Sequence, residues 1–125
     1  MDTPAGNLVR DGMGPERWFD CLVALIADKV VGYAIVCRGY EAHTGKRRLW
    51  LGDLYVRKQE RKTGIGRALM IAVAGRAVEQ NCEVVCWDLW RSNAAAKAFY
   101  QSLGAAEASD LAIWHVASLK LAPNP

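Results

Sequence analysis

The sequence predicts a mixed α/β fold built around one sheet, with the element order strand, strand, strand, helix, strand, helix, strand. Apolar runs of strand length alternate with polar or glycine-bearing breaks, and two later segments carry apolar residues at helical spacing. A chain of 125 residues with 52% hydrophobic content is long enough to bury about two-thirds of its unfolded surface. We therefore predict a single domain that spans residues 1–125.

The first half of the chain is predicted to form three strands. Residues 1–17 are rich in Gly, Pro and Asp and are expected to be irregular. The apolar run at 19–27 is interrupted at Asp28 and Lys29 and resumes at 30–40, which favours an antiparallel hairpin with a tight turn. A polar loop at 41–48 then leads into the third strand at 49–56.

The second half is predicted to alternate helices and strands. Residues 64–80 form a helix that Asn81 can end, because apolar residues recur at helical spacing. These apolar residues are Ile65, Leu69, Ala72, Val73 and Ala77. A strand at 84–89, a helix at 93–103 begun by an Asn cap and ended before Gly104, and a last strand at 111–121 complete the prediction.

The connection between the third strand and the first helix is basic and contains two glycines. Gly64 and Gly66 let an anion approach the N–H groups at the start of the helix, and Arg61, Lys62 and Arg67 add positive charge. A P-loop would need Lys and then Ser or Thr after its last glycine, and a dinucleotide loop would need three glycines. The loop therefore predicts a site for a phosphorylated small molecule, with an ordinary glycine-containing connection as the alternative.

Composition and charge narrow the possible partners. The formal net charge of +3 is mildly basic, with cations concentrated at residues 46–48 and 57–67. A nucleic-acid-binding protein is the weaker interpretation, because interleaved aromatic residues and a recognition motif are missing. The four cysteines form no C-x-x-C pair and no metal-ligand pattern with the two histidines, so we expect reduced thiols, no metal and a cytoplasmic location. No apolar run has the length that spans a bilayer.

Two segments resemble the signatures of one enzyme family. Arg61, Gly64 and Gly66, spaced R-x-x-G-x-G, resemble the pyrophosphate loop of the GNAT N-acetyltransferases, which use acetyl-CoA. Residues 93–105 resemble a second GNAT signature, a short helix closed by Leu-Gly and followed by a strand. The two segments stand in the order and at the distance that the family shows.

Other segments narrow the resemblance to one branch. Residues 8–14, 21–24, 31–34, 50–56 and 114–116 are similar to the diamine (spermidine/spermine) and thialysine N-acetyltransferases. The resemblance covers nearly the whole chain. It implies the GNAT acyl-CoA N-acyltransferase fold, here lacking the usual first strand and the helices that follow it. The resemblance also implies a homodimer, because the enzymes of that branch form intertwined dimers.

The resemblance also implies where acetyl-CoA lies. In GNAT folds the strands on either side of the phosphate loop splay apart, and the pantetheine arm bonds to the edge of the first one, here about residues 53–57. The residues implied in cofactor binding are Leu54, Tyr55, Val56, Arg61, Lys62, Thr63, Gly64, Ile65, Gly66, Arg67, Asn93, Ala96 and Tyr100.

The resemblance places the general acid at Tyr100, whose phenol, with an ordinary pKa near 10, can protonate a departing thiolate. The alternative is that Tyr100 only covers the core beside Phe99. The branch carries a glutamate just before the aspartate of the third strand, and this chain has Gly52 there. Asp53 is then the nearest carboxylate, either as proton acceptor or as a structural hydrogen-bonding residue. Strand alternation points positions 52 and 53 to opposite faces, unless a bulge intervenes.

Acidic and aromatic residues are candidates for binding the acceptor amine. Glu41 stands where the branch has an acidic residue for amine binding, with a solvated loop glutamate as the alternative. Asp53 and Asp88 are further carboxylates, and Trp90 is a possible wall for an alkyl chain. Two functions follow: an N-acetyltransferase acting on a polyamine or lysine-like amine, or a non-catalytic or truncated protein that binds coenzyme A or a partner.

Overall fold

The computed structural model describes residues 3–108 and 114–122. The chain divides into two compact units, Met1–Leu89 and Trp90–Pro125. The elements of the first are α1 (Pro4–Met13), β1 (Asp20–Ile26), β2 (Lys29–Glu41), β3 (Lys46–Val56), a 3₁₀ turn (Lys58–Glu60), α2 (Ile65–Glu79) and β4 (Cys82–Cys86). Those of the second are α3 (Ala94–Ser102) and α4 (Ser118–Leu121).

The first unit contains a four-stranded mixed sheet in the order β1-β2-β3-β4. β1, β2 and β3 are antiparallel neighbours, and β4 runs parallel to β3. The crossover from β3 to β4 carries α2, which packs on one face of the sheet. The mixed α/β prediction is confirmed.

A helix, α1, precedes the sheet, and the prediction of an irregular start is wrong here. Thr3 caps α1 by accepting a hydrogen bond from the N–H of Gly6 at 3.0 Å. Pro4 occupies the start of the helix, where its missing N–H costs no hydrogen bond. Glycine and proline thus mark a capped helix rather than a loop. Gly12 lies under the Phe19 ring, since a Cβ there would come within 2.7 Å of it.

The predicted hairpin is confirmed with its turn one residue earlier. Ala27 and Asp28 both adopt positive φ, 48° and 64°, as in the two-residue turns that match the twist of paired strands. The next connection is shorter than predicted: the pair Glu41 and Lys46 closes the β2–β3 ladder, so only residues 42–45 form the turn. Residues 46–48, predicted to be in the loop, belong to β3 because they pair with the end of β2.

A β-bulge in β3 falls at Gly52. Ile35 pairs with Asp53 while Val36 pairs with Leu51, which leaves Gly52 as the extra residue. The alternation of side chains is displaced by one residue there. Leu49 and Leu51 are buried on the α2 face before the bulge, and Leu54 and Val56 continue that face after it.

The core lies between this sheet face and α2. The buried residues of α2 are Leu69, Met70, Val73 and Ala77. Ala72, predicted to face the core, is exposed, and Met70 takes its place. Gly64 is the N-cap of α2, and Asn81 adopts a left-handed conformation (φ 60°) just after its end, so both predicted boundaries are confirmed to within a residue.

β3 continues beyond the end of its pairing with β4. β4 begins two residues earlier than predicted and pairs with β3 only from Arg47 to Trp50. Within the described residues, the stretch 51–56 of β3 therefore has β2 on one side and no strand on the other. This stretch of β3 leads into the loop before α2, and the splay implied by the resemblance stays a prediction.

In the second unit, α3 starts at the predicted cap. The Asn93 side chain accepts a hydrogen bond from Ala96 N at 3.1 Å, and Gly104 adopts φ 89° after the helix. The predicted strand at 111–121 is wrong over its described part, because residues 114–117 form no strand and Ser118–Leu121 forms α4. Leu and Lys are strong helix formers, so this segment can be helical although its apolar and polar residues alternate as in a strand. Residues 111–113 of that prediction lie outside the described residues.

Candidate functional site

The loop between β3 and α2 is held by its own hydrogen bonds. The N–H of Arg57 donates to the carbonyl of Val31 at 2.7 Å, which ties the start of the loop to β2. The Thr63 hydroxyl donates to the carbonyl of Glu60, across the end of the 3₁₀ turn. These bonds give the loop a defined path into the helix.

α2 begins without a side-chain cap. Gly64 adopts φ 92°, a left-handed conformation that suits glycine, and no side chain accepts from the first turn of the helix. A Cβ built at Gly64 would have no heavy atom within 4 Å, so the space before the helix is open. The first N–H groups of α2, at Ile65, Gly66 and Arg67, are left without helical acceptors. Together with the helix dipole they form a site suited to an anion.

Three cations surround this helix start, and all are exposed. Arg61 is fixed, because its Nε donates to the carbonyl of Val56 at 2.9 Å and its guanidinium lies 5.8 Å from the centre of the Tyr55 ring. Lys62 and Arg67 form no ion pair with any described carboxylate. The positive charge is thus not neutralised within the described chain.

Leu54, Tyr55 and Val56 lie on the open side of β3, next to this loop. Their side chains alternate between the α2 face and the opposite face, so only their backbone N–H and C=O groups can all contact one ligand along the strand edge. An extended ligand can pair with free N–H and C=O groups at such an edge. The structure therefore brings the predicted strand-edge residues and the predicted phosphate loop together at one end of β3.

Asp53 lies on the sheet face away from α2, beside the bulge. Its Oδ2 accepts a hydrogen bond from the Tyr33 hydroxyl at 3.0 Å. A Cβ built at Gly52 would contact Ile35 Cγ2 at 3.7 Å, on that same face, because Ile35 is the cross-strand partner of Asp53. Simple alternation would place positions 52 and 53 on opposite faces, and the bulge, which the prediction allowed for, brings them to the same face.

Tyr33 is the residue that sequence reasoning missed. Burial, chiefly, and then the hydrogen bond to Asp53 raise the pKa of its phenol above the ordinary value. Its ring stacks on Tyr55, with centroids 5.5 Å apart and an interplanar angle of 29°. A tyrosine in the apolar pattern of β2 gives no local signal, since the contact depends on the register with β3.

Glu41 is placed away from Asp53. It is the last residue of β2 rather than a loop residue, and its carboxylate forms an ion pair with Arg48. Glu41 lies six positions along β2 from Ile35, the partner of Asp53, which corresponds to about 20 Å at 3.3 Å per residue. Asp88 is exposed in the segment after β4. The predicted acidic candidates therefore do not form one cluster.

The remaining site candidates belong to the second unit. Tyr100 is half-buried on α3, with its ring 5.2 Å from that of Phe99. The Asn93 side chain is engaged in capping α3 through Ala96 N. Trp90 is 83% exposed. This geometry is consistent with the two interpretations of Tyr100, as an acid or as a residue packed beside Phe99.

The cysteines show no sign of a catalytic thiol. All four are unbridged. Burial raises the pKa of the Cys21 and Cys37 thiols, which disfavours the nucleophilic thiolate. Among residues 3–108 and 114–122, no group of three His, Cys, Asp or Glu side chains could hold a metal ion. None of the helices described in that part of the chain is long and apolar enough to cross a membrane.

The chain is similar to known acetyltransferases over most of its length. The acetyltransferase (GNAT) family matches residues 6–105. Human spermidine/spermine N(1)-acetyltransferase-like protein 1 is 32% identical over 93% of this chain and 18% of its own length. Bovine thialysine N-epsilon-acetyltransferase is 31% identical over 84% of this chain and 66% of its own length. The chain thus spans less than two-thirds of either relative.

Solved structures share the fold. An integron cassette protein from the mobile metagenome of V. cholerae has a TM-score of 0.79 at 24% identity, covering 92% of this chain and 74% of its own. A soil-metagenome aminoglycoside acetyltransferase in complex with sisomicin has a TM-score of 0.77 at 21% identity, covering 94% and 76%. An aminoglycoside N-acetyltransferase in complex with CoA has a TM-score of 0.72 at 17% identity, covering 83% and 80%. These likenesses confirm the predicted fold.

Proposed function

The chain belongs to the acetyltransferase (GNAT) family, and on that premise we propose that it transfers an acetyl group from acetyl-CoA to a primary amine of a small molecule. The observation that carries the proposal is the uncapped start of α2, where Gly64 adopts φ 92°. It lies between the open edge of β3 and a loop whose cations keep their charge. This arrangement suits a ligand with a phosphate at one end and an extended arm at the other.

The loop residues fit a pyrophosphate. Gly64, Ile65, Gly66 and Arg67 would bind its oxygens through backbone N–H groups, with Arg61, Lys62 and Thr63 around them. The backbone of Leu54, Tyr55 and Val56 would pair with the extended arm. Asn93, Ala96 and Tyr100 complete the set implied by the resemblance. When bound, acetyl-CoA supplies an activated acetyl group and a thiolate leaving group.

In the proposed reaction, residues of this chain must accept a proton from the amine and donate a proton to the leaving thiolate. A protonated amine must lose a proton before its nitrogen can attack, and Asp53 accepts it directly or through water. The C–N bond would form as the C–S bond breaks, and Tyr100 would give its phenolic proton to the departing sulfur. The attacking nitrogen must lose a second proton to become an amide, and this proton would return to the Tyr100 phenolate, directly or through water. Holding both substrates together supplies much of the remaining acceleration.

The acceptor that we propose is a polyamine or a lysine-like amine. Of the relatives described above, one is by its name like a spermidine/spermine N(1)-acetyltransferase, and the other is a thialysine N-epsilon-acetyltransferase. Asp53 would bind one ammonium group, and Trp90 would line an alkyl chain. Amine binding by Glu41 stays a prediction, since a substrate cation would have to replace Arg48. Glu41→Gln should raise the KM for the amine if that prediction is right.

A homodimer in the cytoplasm remains part of the proposal. β1 is an edge strand of the sheet, with Val23 and Leu25 more than half exposed, and such an edge favours association. Gel filtration should give twice the monomer mass, and a clean monomer with intact helicity would contradict the dimer.

Gly52 favours a second candidate function. The bulge position that would hold the branch's proposed base has no side chain, and a protein without a competent acceptor site would bind coenzyme A or a partner without turnover. The phosphate loop alone does not separate the two functions.

The deciding experiment measures thiol release from acetyl-CoA. Spermidine, putrescine, thialysine, lysine and a histone-tail peptide are offered separately, alongside a calorimetric coenzyme A titration. Amine-dependent release is the expected result and would identify the acceptor class. Tight coenzyme A binding with no release for any amine would support the non-catalytic candidate instead.

A further inference from the structure

Tyr33 and Asp53 form a diagonal pair across neighbouring strands. Tyr33 is opposite Tyr55 in the β2–β3 register, and Asp53 is opposite Ile35, two residues further along β2. A long aromatic side chain can reach such a diagonal neighbour, and here the Tyr33 hydroxyl lies 3.0 Å from Asp53 Oδ2. The stacking of Tyr33 on Tyr55 restricts the ring and therefore the direction of the hydroxyl.

Ion pairing distinguishes Asp53 from Glu41, the other acidic candidate in β2 and β3. Glu41 is neutralised by the guanidinium of Arg48. Asp53 is held by a neutral phenol, and no cation in the described residues forms an ion pair with it. Its Oδ1 receives no hydrogen bond from any side chain described here. The carboxylate is thus fixed through one oxygen while its charge remains available.

The position of the pair supports a role in acceptor binding. Asp53 follows the bulge at Gly52 and lies in the part of β3 beyond its pairing with β4. This is the end of the strand that leads into the phosphate loop. Asp53 is also exposed, so a ligand can approach the carboxylate.

We propose that Tyr33 is a positioning residue for the acceptor amine: by occupying Asp53 Oδ2, it directs Oδ1 toward the ammonium group. This inference rests on the proposed function and adds a specificity-determining residue to it. An arginine at position 33 would also orient the carboxylate, but it would cancel the charge that attracts the amine. A phenylalanine would leave the carboxylate free to rotate. Because the pKa of Tyr33 is raised, its hydroxyl keeps the proton that it donates.

The test is a double-mutant cycle on amine acetylation. Tyr33→Phe keeps the ring stack and removes only the hydroxyl, so the variant should fold, which thermal melting checks. We expect its kcat/KM for the amine to fall about tenfold, mainly through KM, since a hydrogen bond to a charged group is lost. The KM for acetyl-CoA should not change. In an Asp53→Asn background, Tyr33→Phe should cause no further loss.

Tyr40→Phe is the matched control, because Tyr40 lies on the same strand and is 66% exposed. It should behave as the unmodified protein. Equal losses from Tyr33→Phe in both backgrounds, or an unchanged amine KM, would overturn the positioning role alone. An unmodified protein that binds coenzyme A but neither acetylates nor binds any amine in a direct titration would overturn the proposed function, and the positioning role with it.

Discussion

The Nε atom of Arg61 donates a hydrogen bond to the carbonyl oxygen of Val56 at 2.9 Å, so Arg61, in the loop between β3 and α2, is attached to the last residue of β3. The bond fixes the direction of the guanidinium before any ligand arrives. A lysine has the same charge but no Nε donor and no planar group to lie over the Tyr55 ring.

Arg61→Lys should therefore weaken coenzyme A binding although the charge is kept. We expect an affinity loss of about tenfold, which corresponds to the loss of one well-oriented charged hydrogen bond. Isothermal titration with coenzyme A measures it. Lys58→Arg, in the 3₁₀ turn before it, is the control and should not change the affinity. Unchanged binding by Arg61→Lys would mean that charge alone suffices.

Gly64→Ala and Gly75→Ala should shift stability in opposite directions. Gly64 has φ 92°, where a Cβ costs about 1–2 kcal/mol. Gly75 lies within α2, and a Cβ there would meet no heavy atom within 4 Å, so alanine should add about 0.5–1 kcal/mol to the free energy of unfolding. Urea unfolding of both variants tests the difference. Destabilisation by both would contradict this account of α2.

Gly52→Glu should raise turnover of diamines. The nearest atoms to a Cβ at this position, on Ile35, are 3.7 Å away, so a Cβ at the bulge makes only ordinary contacts. The added carboxylate would lie on the face that carries Asp53 and could accept the proton of the amine. Steady-state kcat with spermidine is the measurement, and Gly52→Gln is the control of equal size. A glutamate variant no faster than the glutamine variant would reject the account.

Tyr33 should be detectable as a late step in an alkaline titration of tyrosine absorbance. Its pKa is raised, chiefly by burial and then by the hydrogen bond to Asp53. Asp53→Asn should move this step to lower pH, and Tyr33→Phe should abolish it. Because the folded pKa exceeds the unfolded one, the linked stability is present below about pH 10 and is lost as pH rises through the folded pKa. If Asp53→Asn left the pH of this step unchanged, the result would contradict the hydrogen bond between Tyr33 and Asp53.

Tyr100→Phe should slow turnover severely with little effect on coenzyme A affinity. A general acid contributes about a hundredfold or more to the rate, and the ring that packs beside Phe99 is preserved. Single-turnover thiol release and a coenzyme A titration separate the two effects. Equal rates for the two proteins would leave Tyr100 with a packing role only.

Local patterns predicted most of the fold. The hairpin, α2 and α3 were predictable because their apolar periodicity, turn residues and caps agree. The helix at the start of the chain was not predictable in this way. Pro4 and the glycines of α1 are typical of loops, and they outweighed the capping signal of Thr3. The helix at 118–121 was missed because a short alternating run of Leu and Lys fits both structures.

The uncapped, basic start of α2 was predictable because its glycines and cations lie within a few residues of one another. The contact between Tyr33 and Asp53 was not, because it joins residues 20 positions apart. Its existence depends on the register of β2 against β3 and on the bulge that shifts this register at Gly52. Neither is encoded in the residue types at the two positions.

The pairing of β3 with β4 ends at Trp50, so residues 51–56 have no strand partner on that side within the part of the chain that the structure describes. Every amino acid except proline carries the same N–H and C=O groups, so drift of the side chains along this edge leaves its hydrogen-bonding capacity intact. A ligand recognised there would tolerate sequence divergence that would erase a site made of side chains. Proline at a position whose N–H faces the opening is the exception.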